Sequence, residues 1–85
     1  MNKLTDIDYV RGLKQNIETT FGSPQGKEVM EFLEESCGWY QSVFDPKNEG
    51  VTLINDGKRQ VIATIKTILR LSPDEIVSLI KSKEQ

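Results

Sequence analysis

The chain of 85 residues has no histidine and a single cysteine, Cys37. Lack of histidine removes the commonest general base near neutral pH and the commonest zinc ligand, and most hydrolase constellations go with it. One cysteine cannot close an intramolecular disulfide or build a thiolate metal cluster. No spacing of Asp, Asn and Glu matches a calcium loop. The only glycine-rich candidates, Gly22 to Gly26 and Gly50 to Gly57, lack the spacing of phosphate-cradling loops. No stretch is apolar and long enough for a secretion signal or a membrane span, so the expected location is the cytoplasm. Together these absences predict a protein that is not an enzyme and needs no metal and no cofactor.

What is present is a foldable composition. Hydrophobic residues make up 36% and charged residues 28%, with Ile, Val and Leu spread throughout, unlike a disordered segment. A chain this short forms one core, so residues 1–85 are expected to be a single helical domain. Its burial gain and its ordering cost nearly cancel, which makes self-association or partner binding a natural further source of stability. Net charge is −2, unevenly placed: residues 1–50 carry 5 Lys/Arg against 9 Asp/Glu, and residues 51–85 carry 6 against 4. Neither half has the dominant basic footprint of a nucleic-acid protein.

Caps and periodicity predict an all-α fold, a small bundle of about four helices with an aromatic-containing loop between the second and third. The first helix is expected over residues 6–20, with Thr5 as cap and Ile7, Val10, Leu13 and Ile17 on one face. Gly12 is assigned to close backbone packing. Ser23-Pro24 should open the second helix, with Val29, Met30 and Leu33 facing inward, and Gly38 should close it in the left-handed conformation. The third is expected over residues 56–71 with Asn55 as cap and an apolar stripe of Val61, Ile62, Ile65, Ile68 and Leu69. Val51 to Lys58 also permits a hairpin around Asn-Asp-Gly, but the long helical stripe outweighs it. Ser72-Pro73-Asp74-Glu75 reads as a capping box with proline at the first helical position, followed by inward-facing Ile76, Val77 and Ile80.

Three surfaces are candidates for binding. Glu28, Glu31, Glu34 and Glu35 share one arc of the second helix, beside Phe32, either as a solvated face or as a site for a basic partner. Trp39, Tyr40 and Phe44 lie in the long connection, where aromatics serve either as the lid of a small core or as interface anchors. Arg59, Lys66 and Arg70 form a basic ridge on the third helix, which is either ordinary solvated charge or a phosphate-tracking surface. The acidic and basic faces could also pair between copies, making a homo-oligomer.

The run Phe21-x-Ser23-Pro24-x-Gly26-x-x-Val29-Met30-x-x-Leu33, then Cys37-Gly38, then Gly57-x-Arg59 opening an Ile-rich helix, resembles a family of small tailed-bacteriophage proteins typified by one from a Bordetella podophage. The resemblance spans residues 21–69 and leaves the first and last helices uncovered. Asp56-Gly57-Lys58-Arg59 stands where the family pattern has Glu-Gly-Arg-Arg, which keeps the charges. The resemblance implies a phage origin, and with the absence of catalytic groups it points to a phage-encoded accessory protein, a virion or packaging component or a factor made in the infected cell, that acts through contacts with a phage or host protein. It would work in the cytoplasm of the infected bacterial cell or in the virion. Two alternatives stand beside it: a nucleic-acid-binding regulator using the basic ridge of the third helix, and an inhibitor of a host enzyme or defence protein through the acidic face.

Overall fold

The computed structural model describes residues 2–42 and 44–84, and all regular structure among them is helical. A single 3-10 turn over Lys3–Thr5 precedes α1 (Ile7–Gly22), α2 (Pro24–Ser36), α3 (Glu49–Arg70) and α4 (Pro73–Lys83). No strand occurs among the described residues, so the hairpin alternative at residues 51–58 is not realised.

Each helix begins where a side chain can satisfy orphan backbone donors. Asp6, not Thr5, caps α1, accepting from the amides of Asp8 at 3.1 Å and Tyr9 at 3.4 Å. Ser23 caps α2 through the Gly26 amide at 2.9 Å, with Pro24 in the first turn. Ser72 and Glu75 exchange both bonds of a capping box at the start of α4, 3.1 and 3.2 Å. The Glu75 carboxyl is held below its ordinary 4.5 by the bonds from Ser72, first from its amide and then from its hydroxyl.

The third helix departs most from expectation. It starts at Glu49, with Asn48 rather than Asn55 as cap, Asn48 Oδ1 accepting from the Val51 amide at 3.2 Å. Asx chemistry decides this, because Asp45 turns the chain by accepting from the Lys47 amide at 2.8 Å, and Thr52 Oγ1 accepts from the Asp45 amide at 2.7 Å. Glu49 then sits in the first turn, where the helix dipole favours an acid. Gly57 inside the helix costs about 1 kcal/mol relative to alanine, too little to break 22 residues.

α1 touches each of the other three helices and the 3-10 turn, whereas α2 and α4 do not meet. The core is correspondingly small: Val10, Ile68 and Ile76 are buried together, with Leu4, Leu13, Ile17, Leu71, Val77 and Ile80 packed around them. Ile62 is buried outside that cluster. Val29 and Val61, both expected inward, are exposed. Lys14 reaches from α1 to the carbonyls of Ile68 and Leu69 at 2.9 and 3.1 Å, capping the last turn of α3 from a neighbouring helix.

Gly26, not Gly12, is the site of close approach. Only Ser23 separates α1 from α2, and a Cβ on Gly26 would overlap the carbonyl oxygen of Thr20. Around Gly12 there is open space. The resulting molecule is flat, 44 × 38 × 17 Å.

A candidate protein-contact site on the second and third helices

Gly38 takes a positive φ of 66°, as expected, and completes a Schellman closure of α2. The Gly38 amide donates to the Glu35 carbonyl at 3.1 Å and the Trp39 amide to the Glu34 carbonyl at 2.8 Å. This turn folds Trp39 back toward α3. There the Arg59 guanidinium lies 5.2 Å, and the Lys66 ammonium 5.1 Å, from the centre of the indole ring. Such cation–π contacts contribute roughly 0.5–1 kcal/mol each at accessible sites.

Glu34 ties the two helices together. Its Oε2 accepts from the Tyr40 hydroxyl at 2.9 Å and pairs with Lys66 Nζ at 3.1 Å. It is only 6% exposed, so it does not belong to the acidic surface with Glu28, Glu31 and Glu35. Lys66 first, and Tyr40 second, hold the Glu34 carboxyl below its ordinary 4.5. The same bond pushes the Tyr40 phenol above its ordinary 10.0, because ionising it would set two anions side by side.

The three candidate surfaces therefore converge in part. Trp39, Arg59 and Lys66 come together in one half-buried cluster, which takes two of the three cations out of a free basic ridge. Arg59 Nε is buried there without a hydrogen-bond partner among the described residues, its guanidinium answered by the indole face. Arg70 stays exposed in the last turn of α3. Glu34 and Lys66, from the two faces expected to pair between copies, pair with each other within the chain.

What remains outward is a mixed acidic and apolar face. Glu28, Glu31, Phe32 and Glu35 are exposed on α2, with Val29 one turn before Phe32. Tyr40 and Phe44 are exposed in the connection, so the aromatic loop divides into one half-buried anchor and two outward rings. Two hollows open nearby, of about 250 Å³ beside Glu31, Trp39 and Tyr40 and about 120 Å³ beside Cys37, Asn55 and Lys58. Both fall below the roughly 300 Å³ at which small-molecule sites begin. No group of His, Cys, Asp and Glu able to hold a metal occurs among the described residues, and no helix there is long and apolar enough to cross a membrane.

A family model described as Bbp19-like phage protein covers residues 17–81, extending the expected segment on both sides and taking in most of α4. No curated protein and no solved structure matches the chain.

Proposed function

Since this chain belongs to the Bbp19-like phage protein family, we propose that it is a phage-encoded accessory protein that works by binding another protein, as a virion or packaging-associated component, without catalysis of its own. One observation carries this reading: Phe32 is exposed among Glu28, Glu31 and Glu35, with Val29, Tyr40 and Phe44 also outward. Large apolar side chains left in water beside charges of one sign suit a partner offering an apolar pocket with a basic rim. The absence of histidine, and the small, open hollows beside Trp39 and Cys37, fit a contact surface better than a reaction chamber. The alternative of tracking nucleic acid with α3 draws no support from Arg59 and Lys66, which are engaged by Trp39 and Glu34.

The test is affinity purification from phage-infected cells, followed by calorimetric titration of the recovered partner in purified form. Phe32→Glu is expected to weaken that complex at least about tenfold, and raising salt should weaken it too, mainly by slowing association. A complex indifferent to both changes would remove the acidic, apolar face from the mechanism. Failure to recover any partner would remove the reading itself.

A further inference from the structure

The apolar stripe of α3 continues after its cover ends. Ile54, Val61 and Ile68 are seven residues apart and so lie on one side of the helix. Ile68 is 4% exposed, inside the core, yet Val61 is 59% and Ile54 61% exposed. Leu53 and Gly57 border the same side, Leu53 exposed and Gly57 with nothing near the position of a Cβ. α3 has 22 residues and is about 33 Å long, against about 24 Å for the 16 residues of α1; in its first half Asn55 and Lys58 adjoin the end of α2, while the side carrying Ile54 and Val61 stays bare.

The bare stripe leads into a groove. Between α3 and α4 lies an open trough of about 340 Å³, lined among others by Leu4, Thr64, Ile76, Leu79 and Ile80. A ridge and a trough in line on one helix form the self-complementary arrangement that a two-fold interface requires. The area agrees: a compact monomer of 9.7 kDa exposes about 5,100 Å², whereas this chain exposes 6285 Å². The excess of roughly 1,200 Å² is spread over the flat chain and includes this face; a standard interface takes approximately 800 Å² from each partner.

We infer that the chain forms a symmetric dimer in which α3 packs antiparallel against α3 of a second copy, with Leu53, Ile54 and Val61 of each entering the trough of the other. Position selects the orientation. Leu53 and Ile54 lie in the first half of α3, whereas the trough lies beside its second half, from Gln60 to Ile68, so antiparallel packing sets each ridge against the other copy's trough and opposes the helix dipoles. Parallel packing would set ridge against ridge. This face differs from the one around Phe32, so dimerisation and capture of another protein are separable.

Light scattering on the eluting full chain, over a concentration series, tests the inference. The expected mass at high concentration is twice 9.7 kDa. Ile54→Glu with Val61→Glu changes only exposed positions, so helicity by circular dichroism should persist. Each substitution enters the symmetric interface twice, and dimer dissociation should shift by roughly a hundredfold or more. Phe32→Glu should leave the mass unchanged. If the double variant loses helicity, concentration-dependent hydrogen-exchange protection of residues 53–64 in the unaltered chain decides instead. A monomer at every concentration, a dimer insensitive to the double variant, or amides of 53–64 no better protected on dilution than at high concentration would each overturn it. None of these outcomes touches the binding proposed for the Phe32 face.

Discussion

Adding a methyl group at Gly26 and at Gly12 has opposite consequences, because only one of these glycines has a neighbour. At Gly26 the new atom meets the Thr20 carbonyl, a backbone group that cannot step aside without moving the end of α1. Gly26→Ala is expected to cost about 2–3 kcal/mol in urea unfolding, while Gly12→Ala, in an open helical position, should gain about 0.5–1 kcal/mol. Glu34 sets an acid limit of the same scale. Its folded-state value lies below 4.5, so its contribution to stability is complete above 4.5 and is lost as pH falls through that depressed value. Glu34→Gln should therefore flatten the acid limb of the denaturation midpoint plotted against pH. For Tyr40 the sign reverses: a phenol held above 10.0 contributes below 10.0 and loses its contribution as pH rises through the raised value. The position of Glu34 was in principle legible, since Met30, Leu33, Glu34 and Cys37 follow the i, i+3, i+4, i+7 spacing of an inward helical face. Grouping it with the other glutamates by charge overrode that spacing. Its partner could not be found this way, because Lys66 is 32 residues on and only the packing of α2 on α3 brings it near.

At the scale of elements, two helix starts were legible and the connections were not. Ser23-Pro24 and Ser72-Pro73 place the first residues of α2 and α4, since Ser and Pro act within their own turn and need no tertiary information, whereas α1 and α3 are capped by Asp6 and Asn48 in place of the expected Thr5 and Asn55. The start of α3 was harder, because both Asn48 and Asn55 are competent caps and the run between them is rich in β-branched residues. Asp45 and Thr52 settle the choice by bonding across seven positions, beyond the span of any single cap. Asn48→Ala should accordingly lower stability by about 1 kcal/mol and fray residues 49–52, which amide exchange can follow residue by residue. A loss confined to residues beyond 55 would place the functional cap at the later asparagine. The end of α3 depends on another element: Lys14 serves the Ile68 and Leu69 carbonyls, a contact 54 and 55 positions away that no reading of local pattern supplies.

The whole molecule is spread out for its mass. Its radius of gyration is 14.7 Å, against about 12 Å for a compact domain of 85 residues, and its thinnest dimension is 17 Å. The hub arrangement explains this, since helices that each touch α1 but seldom one another cannot close around a common centre. With a core of so few fully buried side chains, the melting temperature of the dimer inferred above should rise with protein concentration. A melting point independent of concentration over the range in which mass changes would contradict that coupling. Small size and composition had already pointed to such dependence; the side of α3 responsible follows only from seeing where its neighbours stop. The cluster at Trp39 adds an experimental handle. As the chain's sole indole, held under Arg59 and Lys66 where α2 is fastened to α3, it makes the protein its own optical gauge. Its ultraviolet emission will change colour whenever those two helices part, without any attached dye.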